Sequence, residues 1–208
     1  MFGQLPYFSV FPFFATEIVV KKTKKKKLDS SYFLVDFEKY KKKKSFASVY
    51  MGWSSEGISL KIDVKESIKE ISLDYRKSDS VELFFDTRDV KSKNYFTRFC
   101  HHFVFFPAPI DNIQAKEVTR FHSEDVHTLC KEEDLYLDVK QKKSSYEMHI
   151  VIPKRCLYGF DPKRFNRLGF TYQINRCENE PQVLTCAIEE FKIDRNPSVW
   201  ASLILKEN

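Results

Sequence analysis

The strongest constraint in this chain is a two-residue rhythm. In Ile58-Ser59-Leu60-Lys61-Ile62-Asp63-Val64 every second side chain is apolar and each intervening one is polar. Side chains alternate across a strand, so this run reads as a β-strand with one buried face, whereas a helix would need apolar residues three and four apart. Residues 46–53 read as its partner, joined through Ser54-Ser55-Glu56-Gly57 in a hairpin. Similar runs recur at 81–85, 99–106, 135–139, 146–152, 168–174, 183–188 and 199–205. Short strands separated by turn-like gaps predict an all-β fold, an antiparallel β-sandwich. Helical signals are few: one short turn at 153–159, with Pro153 at its start and Gly159 at its end, and a second expected within 113–130.

With 208 residues, 20 Phe and 10 Tyr, the chain can bury one sizeable core. Its five glycines lie too far apart for a dinucleotide fingerprint or a phosphate-cradling loop. The nucleophile-elbow, zinc-protease and zinc-deaminase patterns are also missing, and the reading is therefore of a protein that is not an enzyme. Acidic runs such as Glu132-Glu133-Asp134 and Glu189-Glu190 read as solvated surface. Residues 1–50 carry eleven lysines against four acids, a net of +7 in a chain of net +6, so the rest is nearly neutral. Lysine runs without interleaved arginine mark solvated loops, and a nucleic-acid partner is not expected. Residues 1–30 thus read as an added N-terminal strand with a basic loop, and 31–208 as a single sandwich domain.

The five cysteines, Cys100, Cys130, Cys156, Cys177 and Cys186, contain no C-x-x-C pair and read as free thiols of a reducing compartment. The apolar first twenty residues lack a basic leader and contain Pro6, Pro12 and Glu17, which argues against a signal peptide and against a membrane span. A cytoplasmic location is the expectation.

Reactive side chains concentrate in Asp86-Thr87-Arg88-Asp89 and in Arg98-Phe99-Cys100-His101-His102. From these we take Asp86, Arg88, Asp89, Arg98 and His101 as the candidate ligand-binding set: carboxylates accept from hydroxyls, guanidinium groups donate, and imidazole does either. The alternative is that Asp86 and Arg88 close a turn through an ion pair. Strand alternation puts Cys100 and His102 on one face and His101 on the other, so a metal would need His122, His127 or His149 from neighbouring segments. No metal ligand is assigned. Met148 alternates with Ile150 and Ile152 and reads as core, His149 reads as exposed, and no haem or other cofactor is expected.

The order of segments carries further information. Val49-Tyr-Met-Gly-Trp53, Ser80-Val-Glu82-Leu-Phe-Phe-Asp86, Tyr146-Glu-Met-His-Ile-Val-Ile-Pro153, Leu168-Gly-Phe170 and Pro197-Ser-Val-Trp200-Ala resemble the ordered signature of carbohydrate-binding module family 9, within the DOMON-like superfamily. Asp86-Thr-Arg-Asp89, Arg98-Phe-Cys-His-His-Phe103, Tyr158-Gly-Phe-Asp-Pro162 and Arg167-Leu-Gly-Phe-Thr-Tyr172 are similar to an uncharacterised planctomycete and chlamydial branch of it. The resemblance covers roughly residues 45–206 and implies a non-catalytic β-sandwich that binds a glycan or another polar small ligand. Sugar-binding members grip a ring between aromatic planes and hydrogen-bonding groups. Here both tryptophans, Trp53 and Trp200, fall on structural motifs. The competing expectation is a protein-interaction module in which Phe8, Phe11, Phe13 and Phe14 meet a partner.

Overall fold

A computed structural model describes residues 16–24, 28–38, 44–177, 179–185 and 191–207. The expected hairpin forms from β2 (Ala47–Ser54) and β3 (Gly57–Val64), with Trp53 opposite Ile58 and Ala47 opposite Val64. Gly57 sits at φ 141, and an added Cβ there would lie 2.2 Å from the Ile152 carbonyl oxygen, so this turn position requires glycine. The other strands are β1 (Glu17–Lys21), β4 (Ser80–Asp86), β5 (Cys100–Ile110), β6 (Ile113–Glu117), β7 (Tyr136–Gln141), β8 (Tyr146–Pro153), β9 (Arg167–Asn175), β10 (Gln182–Val183) and β11 (Ala201–Lys206). They build two stacked sheets: a seven-stranded one ordered β1-β11-β9-β4-β5-β6, with β10 beside β9, and a four-stranded one ordered β2-β3-β8-β7.

The alternation read from the sequence sets the packing between these layers. Ile58, Leu60, Ile62 and Val64 are buried with Met148, Ile150 and Ile152 of β8, against Val81, Leu83, Phe85, Phe103, Phe170 and Ile174 of the large sheet. Removing most of a side chain here, as in Ile62→Ala, costs about 2–5 kcal/mol in lost transfer energy and cavity formation. β4 is buried along its whole length because its second face is also covered. There Phe84, Phe96, Cys100, Ile193 and Trp200 form a separate apolar cluster, pinned where the Trp200 indole donates to the Ile193 carbonyl at 2.8 Å.

The expected antiparallel-dominated β-sandwich is present, and five details depart from the sequence reading. First, β1 runs parallel to β11, so the sandwich is antiparallel with one parallel edge pair; Ile18 and Val20 enter the core, and the Trp53 indole donates to the Val20 carbonyl. Second, residues 113–117 form strand β6 rather than a helical turn, because Ala115 and Glu117 pair with Phe105 and Phe103. The turn expected at 153–159 is present as a 3-10 turn at Lys154–Cys156. Third, of 183–188 only the short β10 is a described strand, and 186–188 lie outside the described residues. Fourth, His149 is 7% exposed and bonded to Glu147 at 2.5 Å. Fifth, Cys130 and Cys156 are joined in a disulfide, with 5.0 Å between their Cα atoms. Their 26-residue separation holds no motif; the contact arises only when the loop after β6 folds onto the turn after β8. Phe8, Phe11, Phe13, Phe14 and the lysines at 25–27, 39 and 41–43 lie outside the described residues.

Candidate functional site

A sheet face that does not meet the other sheet is ordinarily solvated. Here the outer face of the seven-stranded sheet carries a polar row that is nevertheless buried. Because Val81, Leu83, Tyr172 and Ile174 point into the core, the alternate residues Ser80 and Glu82 of β4 and Thr171, Gln173 and Asn175 of β9 point outward. Register places Glu82 opposite Gln173 and Ser80 opposite Asn175.

Glu82 is the centre of this row and is fully buried. Its Oε1 accepts from Asn175 Nδ2 at 2.8 Å and from Gln173 Nε2 at 3.3 Å, and its Oε2 pairs with His102 Nε2 at 2.8 Å. Asn175 Nδ2 also reaches Ser80 Oγ, and Gln173 Nε2 reaches Asn175 Oδ1. A buried carboxylate persists only when donors replace its water, and these amides and the imidazole supply them. The Gln173 Oε1 atom is buried without a hydrogen-bond partner.

Arg76 and Tyr75 lie over this row. Arg76, whose side chain is 39% exposed, lies 3.7 Å from Glu82 and is held at its other end by Asp194 at 2.9 Å. Tyr75 stands edge-on to His102, which stacks on Phe84. Burial lifts the Tyr75 hydroxyl above the usual phenol range, and the neighbouring Glu82 charge adds to this. Burial works to lower the Arg76 value, but Glu82 and Asp194 outweigh it and hold the guanidinium firmly charged.

The residues singled out in the sequence sit elsewhere. Asp86 accepts from the backbone N–H of Arg88 at 2.9 Å and of Val90 at 2.7 Å, closing the turn through amides rather than through an ion pair with Arg88. Burial pushes its carboxyl up, against the pull of those two bonds. The Arg88 guanidinium donates to the Thr87 and Gly159 carbonyls and lies between the rings of Phe99 and Phe165. Asp89 meets Lys91, Ser202 and, at 3.5 Å, Arg167. Arg98 pairs with Asp125. His101 is buried, with Nδ1 at 2.9 Å from Glu117 and Nε2 at 3.4 Å from the Tyr158 carbonyl. The Asp86–Arg88 turn and His101 thus meet at the Tyr158–Gly159 corner, while Asp89 faces β11. The polar atoms of Asp86 and Arg88 are committed to backbone groups there, while His101 Nδ1 faces Glu117.

A third cluster adjoins it. His127 Nε2 lies 2.8 Å from the same Glu117 oxygen that His101 approaches, and the two imidazole centroids are 4.3 Å apart. Burial lowers the His101 value, more than Glu117 raises it. Burial alone would raise Glu117, but bonds from His101 and His127 bring its carboxyl down to about 2.

Sequence reasoning missed Glu82, His102, Gln173 and Asn175. The signal that could have found them is the amide spacing Gln173-x-Asn175 on a strand whose alternate residues are all large and apolar. Trp53 and Trp200 are both buried and bonded to carbonyls, so neither offers a sugar-stacking face.

No family model matches this chain, and no curated protein matches it. Solved structures do. It is similar to a carbohydrate-binding module of family 9 from Caldicellulosiruptor kristjanssonii in complex with cellotriose, with 14% identity and a TM-score of 0.65 over 93% of this chain and 95% of that one. The same description in complex with glucose matches at 13% identity and a TM-score of 0.65, over 93% and 97% of the two chains. A protein from Bacteroides uniformis ATCC 8492 assigned to carbohydrate binding matches at 11% identity and a TM-score of 0.52, over 92% and 99%. These likenesses establish the family 9 type of β-sandwich as the fold. No helix among the described residues is long and apolar enough to cross a membrane.

Proposed function

We propose that this protein is a non-catalytic glycan-binding module whose ligand hydroxyls are read by Glu82, Gln173 and Asn175. The observation that carries the reading is the buried polar row on the outer sheet face, with Gln173 Oε1 left without a donor. A sandwich needs only its inner faces apolar, and stability alone favours an apolar filling beneath such a cover. A carboxylate flanked by two amides offers both donors and acceptors, which the hydroxyl rim of a sugar requires. A ligand hydroxyl donating to Gln173 Oε1 would satisfy a buried acceptor that the fold leaves unpaired. Entry displaces the partly exposed Arg76 side chain, and Tyr75 beside it supplies an aromatic surface for a ring face. The sandwiches that this fold matches were solved with cellotriose and glucose, which supports a hexose-class ligand. The row is favoured over the Asp86–Asp89 turn because Asp86 is bonded to two backbone amides, Arg88 to two carbonyls, and Asp89 is paired with Lys91 and Ser202. The disulfide supports an oxidising working environment in place of the cytoplasm expected from the sequence.

The test is calorimetric titration with glucose and cellotriose, repeated on Glu82→Gln and Asn175→Ala. Saturable heat in the wild type, lost in both folded variants, supports the reading. Heat that persists unchanged in both variants, or none with any hexose oligomer, overturns it.

A further inference from the structure

His101 and His127 converge on one buried carboxylate oxygen, Glu117 Oε1. Each imidazole is flanked on both nitrogens by groups that accept. His127 has the Arg98 carbonyl at 2.6 Å from Nδ1 and the Glu117 carboxylate at 2.8 Å from Nε2. His101 has Glu117 at 2.9 Å from Nδ1 and the Tyr158 carbonyl at 3.4 Å from Nε2. A neutral imidazole carries one N–H, so each ring can satisfy one acceptor and must turn a lone pair toward the other.

We propose that His101 Nδ1, His127 Nε2 and Glu117 Oε1 form a binding site for a divalent cation of the zinc class. The three atoms lie within 4.8 Å of one another. With arms of about 2.0–2.2 Å, a tetrahedral zinc ion sets its ligand atoms about 3.3–3.6 Å apart, so the contacts of 2.9 and 2.8 Å to Glu117 Oε1 need open only slightly to admit it. Two imidazoles and one carboxylate are a donor set that suits it, with the fourth position left open. The remaining nitrogens then donate to the Arg98 and Tyr158 carbonyls, the arrangement that fixes tautomer and ring orientation in zinc-binding histidines.

The supporting groups are already in place. Glu117 Oε2 accepts the Cys130 N–H at 2.7 Å, and Thr119 Oγ1 donates to Oε1 at 2.8 Å while itself accepting the His102 N–H. The His101 ring stacks on Phe103, and the His127 ring stacks on Tyr158 with Phe121 edge-on. The ligand side chains are therefore held by packing before any ion arrives. A surface pocket lined by Val126, His127, Thr128, Arg155, Cys156 and Tyr158 reaches the His127 ligand from outside. β5 supplies His101, the end of β6 supplies Glu117, and the following loop supplies His127, so the ion would tie that loop to the sheet beside the disulfide.

The experiment uses the full chain without a histidine tag, stripped with chelator, loaded with zinc chloride without reductant, gel-filtered and analysed for metal. Wild type should retain one zinc per chain, raise its thermal midpoint with added zinc, and give the intense visible bands of four-coordinate cobalt(II) when cobalt replaces zinc. His127→Asn and the isosteric Glu117→Gln should each weaken zinc binding by at least about 100-fold. If His127→Asn fails to fold, Glu117→Gln and the wild-type stoichiometry decide. No retained zinc in folded wild type overturns the proposal. So does equal retention in both variants, or binding that appears only after reduction, which would assign the metal to Cys130 and Cys156. None of these outcomes depends on whether a glycan binds.

Discussion

Reduction of the Cys130–Cys156 bridge offers a perturbation whose size can be worked out in advance. The bridge closes a loop of 26 residues. In the chain-entropy treatment this removes about 12 cal/mol/K from the unfolded ensemble, or about 3.5 kcal/mol at room temperature. For a domain of this length each kcal/mol moves the midpoint by roughly 2–4 °C, so reduction should lower it by about 7–14 °C. The assay is thermal unfolding with and without dithiothreitol, with mass spectrometry to count thiols and the Cys130→Ala/Cys156→Ala double variant as control. The variant should start at the lower midpoint and ignore the reductant. A wild-type midpoint that does not move once both thiols are shown to be reduced would refute the loop argument. A double variant that still responds would place the effect on another cysteine.

Three further predictions follow from buried groups. Asp86→Ala strips the acceptor from two backbone N–H groups and should cost about 2–4 kcal/mol by denaturant unfolding; a loss below 1 kcal/mol would mean the turn closes without it. Burial, with the nearby Asp86 charge, pushes the Cys100 thiol up to about 12, so peptide mapping after iodoacetamide at pH 8 should find it unmodified until the protein unfolds; labelling in the native state contradicts this. Burial holds Tyr146 and Tyr172 above the ordinary value of 10.0, and Asp79 adds to the effect at Tyr146. Their folded values are raised, so their contribution to stability is complete below about pH 10 and is lost as pH climbs above it. Tyrosinate absorbance from these two should appear only together with loss of the folded circular-dichroism signal; titration with the exposed tyrosines in a folded protein would refute the assignment.

The fold was legible in the sequence because one period dominates it. Ile58 to Val64 could bury a face only as a strand, and the same rule located β4, β5, β8 and β9. What escaped were features that depend on which strands become neighbours. The parallel β1–β11 pair joins strands far apart in the sequence, and the Cys130–Cys156 bridge joins a loop to a turn. Residues 113–117 carry too few apolar side chains to declare a strand, and it is pairing with Phe103 and Phe105 that makes them one.

The candidate site was legible only in part, for a related reason. Asp86, Arg88 and His101 stand out in the sequence as charged or titratable groups among apolar ones, and the structure gathers them at the Tyr158–Gly159 corner. There their groups hold backbone in place: an added Cβ at Gly159 would lie 2.7 Å from Phe99, so the approach is already close. Glu82, Gln173 and Asn175 look like the solvated side of two strands. Nothing in the linear pattern tells that Tyr75 and Arg76 lie over this row, or that β4 sets Glu82 against two amides of β9.

The most direct measurement of the central claim is to follow the side-chain amide signals of Gln173 and Asn175 by two-dimensional nuclear magnetic resonance while adding cellotriose. The account predicts saturable shifts of both pairs at one dissociation constant, absent in Glu82→Gln. Shifts confined to the outer face of the four-stranded sheet, around Tyr50, Lys61 and Tyr136, with both amides unmoved, would contradict it.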